Sequence, residues 1–196
     1  AYETRLTEDG ITIDGDAVKM PDDTIYNAYN MAAAYTVARA AGVDKKDIIE
    51  GLHNINFGAK RFQQFSIGDV EGTILVSKNE TPASYTQSLE HIERCEGKKT
   101  LAVGFTRISG RHDEKDISWL YDIKFELLKD DDSIDEILLV GPFAYDLAVR
   151  MKIAGIDVNK LKIVYDYETT YEELKKCRSH VFCVFYFDMS KHLVKV

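Results

Sequence analysis

The sequence predicts an α/β protein, a mostly parallel sheet with flanking helices, preceded by a small hairpin-and-helix piece. Three observations predict it. From Phe57 onward, short apolar runs alternate with helical segments of ten to twelve residues, the pattern of strand–helix–strand units whose crossovers make neighbouring strands parallel. Residues 25–52 instead carry two helices in succession, and residues 9–20 alternate around two Asp-Gly pairs. The texture changes at Asn54–Gly58, which divides the chain into residues 1–56 and 57–196.

The first ten residues, AYETRLTEDG, have neither the basic start nor the apolar core of a signal peptide, and read as a start inside a longer protein. DGITIDGDAVKM reads as a hairpin, or as the last strands of a preceding sheet. Pro21-Asp22-Asp23-Thr24 offers capping groups to a helix in which Ile25, Tyr29, Ala32, Ala33, Thr36, Val37 and Ala40 recur at helical spacing, and Gly42 stops it. Asp44 caps a short second helix through Leu52. The later elements are strands near Arg61–Ile67 and Thr73–Ser77, helix Pro82–Arg94 and strand Thr100–Phe105. After a polar loop come the segment Asp116–Leu128, strand Glu136–Val140 and helix Phe143–Ala154. Strand Lys162–Tyr165, helix Glu168–Cys177, strand Val181–Phe185 and a short helix Met189–Val194 follow.

At 196 residues the chain can bury one substantial core with a small attached piece. Hydrophobic residues at 45% and charged residues at 30% describe a globular protein. No window reaches the roughly eighteen uninterrupted apolar residues of a transmembrane helix. The net charge of −8 is mixed along the chain, which excludes nucleic acid as the main partner, because clustered Lys and Arg are needed to neutralise phosphates. Three cysteines without a CxxC or an even framework fit a reducing cytoplasm.

Several clusters carry candidate chemistry. Asn27 and Asn30 stand three apart at a helix start, where carboxamides can donate to and accept from a purine edge; Asn27 as a cap and Asn30 as a solvated side chain is the other reading. Arg61, in Phe57-Gly58-Ala59-Lys60-Arg61, offers a planar cationic fork suited to phosphate, next to a glycine able to act as a hinge. Lys78 and Asn79 lie in a polar loop between a strand and the Thr81-Pro82 helix start, where Lys78 can hold a carboxylate or phosphate or simply be solvated. Asp116-Ile117-Ser118-Trp119-Leu120-Tyr121-Asp122-Ile123-Lys124-Phe125-Glu126 sets two carboxylates six residues apart around the chain's single Trp. By itself it is an amphipathic stretch with its aromatics inside and its acids in solvent. Asp146 and Arg150, at i and i+4, read as a helix-surface ion pair.

These motifs resemble the Mur ligase family. Asn27 to Ala34 is similar to the Asn-x-x-Asn-Ala helix that ends the central domain of those enzymes beside the adenine, with Tyr26 where a His is usual. Residues 1–56 then correspond to a remnant of that central ATP-binding domain, and 57–196 to the Rossmann-like C-terminal domain. Gly58 and Arg61 resemble the family's hinge motif, and Lys78-Asn79 the Lys-Asn-Pro loop of the MurT branch, with two extra residues before Pro82. The Asp116–Glu126 segment resembles the Asp-x-Ser-Trp-x-x-Asp-x-x-Phe-Glu signature of MurT-type subunits of lipid II isoglutaminyl synthase. Gly141–Gly155 resembles the strand-turn-helix that follows in that branch.

The resemblance implies an ATP- and Mg²⁺-dependent amide ligase of peptidoglycan-precursor metabolism. A lipid-linked or UDP-linked muropeptide carboxylate is activated as an acyl phosphate and attacked by ammonia from a glutaminase subunit. It implies nucleotide-side roles for Asn27, Asn30 and Arg61 and substrate-side roles for Lys78 and Asn79. It also implies that Asp116 or Asp122 completes a Cys-His-Asp triad in the partner. An amino-acid-adding Mur ligase, a cyanophycin- or folate-type synthetase and a non-catalytic docking module are the alternatives. Cys177, His180 and Cys183 lack a fourth ligand for zinc, Asp130–Asp132 lacks the glycine of a calcium loop, and His112 with Asp113 is assigned no role. No GxxxxGK[ST] loop is present.

Overall fold

A computed structural model describes residues 2–7, 10–20, 25–55, 62–77, 81–105 and 116–186. The chain forms two compact units, Ala1–Gly58 and Ala59–Val196.

The first unit holds an antiparallel meander of β1 (Thr4–Thr7), β2 (Gly10–Ile13) and β3 (Asp16–Lys19), followed by α1 (Ile25–Ala40) and α2 (Lys45–His53). The β2–β3 hairpin turns at Asp14-Gly15, both with positive φ (52° and 89°), as a two-residue Asp-Gly turn requires. Tyr35 donates its hydroxyl to Asp14 Oδ2 at 2.9 Å, and the Lys45 ammonium donates to the Asp14 carbonyl at 2.8 Å while pairing with Asp16 at 2.7 Å. At the end of α1, Val43 N–H bonds Ala38 and Gly42 N–H bonds Arg39, each at 3.1 Å, with Gly42 at φ 87°. That is the six-to-one and five-to-two pattern of a glycine-terminated helix. Asp44 occupies the N-cap position of α2, but its side chain makes no capping bond.

Ile11, Ile13, Val18, Ala28, Met31, Tyr35, Ile48 and Leu52 form the core of this unit. The residues that mark α1 by spacing are therefore not those that pack it. Tyr29 and Val37 are 68% and 69% exposed, while Ala28, Met31 and Tyr35, one position out of phase, face the strands. Strand β1 is exposed along its whole length, so it has no alternation for sequence reasoning to detect.

The second unit is an α/β domain with a sheet of order β4-β5-β9-β6-β7-β8. Its strands are β4 (Phe62–Ile67), β5 (Val70–Ser77), β6 (Lys99–Gly104), β7 (Ile134–Val140), β8 (Leu161–Val164) and β9 (His180–Tyr186). β4 pairs antiparallel with β5, and every other neighbouring pair is parallel. Helices α3 (Pro82–Arg94), α4 (Ala144–Ile153) and α5 (Tyr167–Leu174) supply crossovers. Period-two alternation sends Leu101, Val103, Ile137, Leu139, Phe182 and Val184 to one face with α3 and α4. Ala102, Leu138, Val140, Val181, Cys183 and Phe185 go to the other face with Leu174 of α5. Segment Asp116–Leu128 is neither strand nor α-helix but two 3₁₀ turns, Ser118–Asp122 and Phe125–Leu128. The terminal helix expected at Met189–Val194 lies outside the described residues.

Candidate functional site

Parallel strands β5, β6 and β7 end at Ser77, Gly104 and Val140, and their carboxyl ends form the sheet edge where open α/β folds build sites. The segment Asp116–Leu128 is anchored at this edge through Trp119. Its ring lies 5.1 Å from Phe105, the residue after β6, and 5.6 Å from Tyr85 in the first turn of α3. Phe105 in turn stacks on Phe143, at the start of α4, at 4.8 Å and 12°. Trp119 and Phe125 are 9% and 0% exposed. Burying these two large rings outweighs the lack of regular hydrogen bonding in the segment. The Trp119 indole N–H is buried, with no acceptor among the described residues.

The other anchor is Arg150 of α4, which is 4% exposed. Its Nε donates to the carbonyl of Leu120 at 3.3 Å, and its Nη2 to the carbonyl of Ile123 at 2.7 Å and to Glu126 Oε2 at 3.0 Å. The surface ion pair expected between Asp146 and Arg150 does not form. Asp146 is exposed, and the guanidinium turns inward to Glu126. The physical reason is helix phase: Arg150 lies on the face of Leu147 and Met151, which pack in the core.

With the aromatics inside, both candidate acids face solvent. Asp116 and Asp122 are exposed, as is Tyr121 at 54%. Asp116 Oδ1 accepts the Ser118 N–H at 2.8 Å, tying the carboxylate to the first 3₁₀ turn. That backbone bond, helped by the Ser118 hydroxyl, holds the Asp116 carboxyl below its usual range, against a small opposing effect of burial. Asp122 is the last residue of the same turn. The short segment Asp116–Asp122 therefore presents both acids to solvent.

The nucleotide-side pair divides. Asn27 is buried and engaged, while Asn30, one turn on in α1, is exposed. Arg61, Lys78 and Asn79 lie outside the described residues, as do Gly58, His112 and Asp113. Ser77, directly before the Lys78 loop, is buried, with its hydroxyl 3.3 Å from that of Ser88. Sequence reasoning missed Arg150 and Glu126 as a pair. The signal lay in the spacing of Ala144, Leu147, Met151 and Ala154, which puts position 150 on the buried face.

The discounted metal signals have other uses. Cys183 sits in the sheet core, where burial pushes its thiol far up, and His180 Nε2 lies 2.9 Å from the Thr73 hydroxyl. Asp131 is bonded to Ser133 and to Lys99. Among the described residues no three His, Cys, Asp or Glu side chains gather as a cation site, and no helix is long and apolar enough to cross a membrane.

Comparison with known proteins agrees with this architecture. The MurT subunit of lipid II isoglutaminyl synthase from Staphylococcus aureus (strain COL) is 35% identical over 133 residues, covering 68% of this chain and 29% of the relative. The corresponding subunit from Streptococcus pneumoniae is 32% identical over 149 residues, covering 76% of this chain and 32% of the relative. The chain thus spans about a third of the length of the curated relatives it matches. The crystal structure of MurF ligase from Thermotoga maritima in complex with ADP superposes with a TM-score of 0.60 at 18% identity, over 97% of this chain and 44% of that one. At that identity the likeness speaks for the fold. The family described as MurT ligase C-terminal matches residues 76–188, more than half of the sequence, and the chain belongs to it.

Proposed function

We propose that the chain serves as the C-terminal α/β domain of a MurT-type ATP-dependent amide ligase that works with a glutaminase to amidate a glutamate carboxylate of a peptidoglycan precursor, in the cytoplasm. The observation that carries this reading is the segment Asp116–Asp122, pinned at the carboxyl edge of the sheet by Trp119 with its carboxylates in solvent. The two curated relatives are named as subunits of a glutamine-hydrolysing synthase, which favours ammonia over an amino acid as the nucleophile.

In this scheme one of the two acids accepts the N–H of a histidine in the glutaminase. It fixes the ring's tautomer and stabilises the imidazolium formed when that histidine takes the proton of the nucleophilic cysteine. Asp116 is the first candidate, its carboxylate held in place by the Ser118 N–H at 2.8 Å. Asp122 is the second candidate. The ligase half belongs mostly to residues outside this chain. Bound ATP with Mg²⁺ supplies the phosphoryl group that activates the acceptor carboxylate. The exposed carboxamide of Asn30 has the donor and acceptor to read an adenine edge, and Asn27, buried one turn before it, is proposed on the same nucleotide side. Arg61 is proposed toward the nucleotide, and Lys78 with Asn79 toward the anionic substrate.

The test uses the full-length protein with its glutaminase partner. Asp116→Asn and Asp122→Asn are compared for glutamine-dependent and ammonia-dependent amidation. The acid in use loses about 10³- to 10⁴-fold in glutamine hydrolysis when changed to Asn, and amidation from free ammonia persists. Unchanged glutamine hydrolysis in both variants would refute the reading.

A further inference from the structure

Arg150 carries a charge into the interior of the second unit, where a cation is costly unless it is bonded and paired. Among the described residues its hydrogen-bond partners lie in residues 120–126: the Leu120 carbonyl, the Ile123 carbonyl and the Glu126 carboxylate. Nη1 has no acceptor among the described residues. The guanidinium also lies 5.6 Å over the Phe125 ring.

The segment it holds has little scaffolding of its own. Two short 3₁₀ turns with poor internal hydrogen bonds meet at Ile123-Lys124. The two bonded carbonyls bracket Asp122. Each already accepts one backbone N–H, Leu120 from Ile123 at 3.3 Å and Ile123 from Phe125 at 2.9 Å, so the arginine fork takes a second bond at each and joins the turns. Lys124 N–H is held separately, by the Thr86 hydroxyl at 3.2 Å. At the other end, Asp116 is tied to Ser118.

We propose that Arg150, with Glu126 as its counterion, is the positioning residue for the acid that the domain presents to the glutaminase. This rests on the proposed function above. Arg150, being 4% exposed, acts through this segment rather than directly on the reacting groups. It sets the backbone of Ser118–Asp122 so that the carboxylate stands at one distance and angle, and displacement of a triad member by about 1 Å costs up to 10²-fold in rate. Lysine has three donors, but on one nitrogen at the end of a flexible stem, and so lacks the rigid planar fork that holds the two carbonyls and Glu126 in fixed geometry.

The experiment compares Arg150→Lys, Asp116→Asn, Asp122→Asn and the Arg150→Lys doubles in the full-length ligase–glutaminase complex, with Arg150→Met as the harsher change. For Arg150→Lys we expect glutaminase kcat to fall about tenfold or more with KM for glutamine within about twofold, and ammonia-dependent amidation to stay unchanged. We also expect faster amide exchange at Ile123 and Phe125, and no additional loss when Arg150→Lys is placed on the deleterious Asp→Asn variant. Normal glutaminase kcat in Arg150→Lys, or a loss that adds fully to that of the Asp variant, overturns the positioning role while leaving the acid's role intact. Full activity in both Asp variants overturns the two together. If Arg150→Met does not fold, Arg150→Lys carries the result.

Discussion

Lys99 is 2% exposed, and its ammonium donates to the Ile92 carbonyl at 2.8 Å and to Asp131 Oδ2 at 3.4 Å. Burial pushes the Asp131 carboxyl upward, but the Ser133 hydroxyl and amide together with Lys99 outweigh it and set the folded pKa below the usual value. A carboxylate whose folded pKa is depressed contributes stability above its unfolded pKa, near 3.9, and loses it as pH falls through the lower, folded value. Urea midpoints taken from pH 7 down to about 2.5 should therefore decline below about pH 4. Asp131→Asn should cost about 2–4 kcal/mol at neutral pH, because it removes the carboxylate that pairs with the buried Lys99 and leaves it, among the described residues, with the Ile92 carbonyl, and it should flatten that decline. A neutral-pH midpoint within error of the parent chain would rule out the pair as a stabilising contact. Buried cations such as Lys99 and Arg150 were the least legible residues in the sequence. Each bonds across long separations, 32 positions to Asp131 and 24 to Glu126, whereas periodicity and i, i+4 rules see only neighbours along the chain.

At the scale of elements, patterning located strands and helices where one face is buried, though it set α1 in the wrong phase, and it read poorly where neither face is buried. Helix α3 was expected at Pro82–Arg94 and is found there, because proline at its first turn and an apolar stripe agree. The strands of the parallel sheet were found to within two or three residues, with β5 starting earlier, at Val70. Its early part contains Gly72, whose lack of a side chain is a packing requirement. A Cβ there would come within 2.3 Å of the Phe65 ring and 2.7 Å of the Val181 carbonyl. Gly72→Ala should accordingly destabilise the chain by about 1–3 kcal/mol with the slope of its urea transition unchanged, and a neutral effect would mean that β4 does not cross at Phe65. In α1 the corrected phase makes a paired prediction. Met31→Ala should cost about 2–5 kcal/mol and Val37→Ala no more than about 0.5 kcal/mol. The opposite order in thermal melts would restore the phase that the spacing of Tyr29 and Val37 implies. The Asp116–Leu128 segment was legible as a motif but not as a conformation, since 3₁₀ turns fixed by a distant arginine leave no period in the sequence.

At the scale of the whole molecule, the proposed function separates the carboxylates that face solvent from ATP consumption, which it assigns mostly to residues outside this chain. The chain's 33 acidic and 25 basic residues give it a net charge of −8, a surface potential that opposes a polyphosphate unless a local cradle overcomes it. The usual cradle in nucleotide-dependent ligases of this architecture is a glycine-rich loop whose backbone N–H groups and lysine wrap the phosphates, and these 196 residues contain no such loop. The curated relatives run to about three times the matched length, leaving ample chain to supply one. The 196-residue chain alone should therefore release no phosphate from ATP above the rate of buffer with Mg²⁺, measured over hours at millimolar nucleotide. It should still be able to bind a glutaminase partner and, if Asp116 or Asp122 acts as proposed, raise its glutamine hydrolysis. ATP turnover by this chain that survives re-purification would mean that it holds a complete phosphate site of another design. Binding without stimulation would mean that the acids need the longer protein to be set in place. Stimulation without ATP turnover would show that the sheet edge around Trp119 is a self-sufficient half of a divided active site.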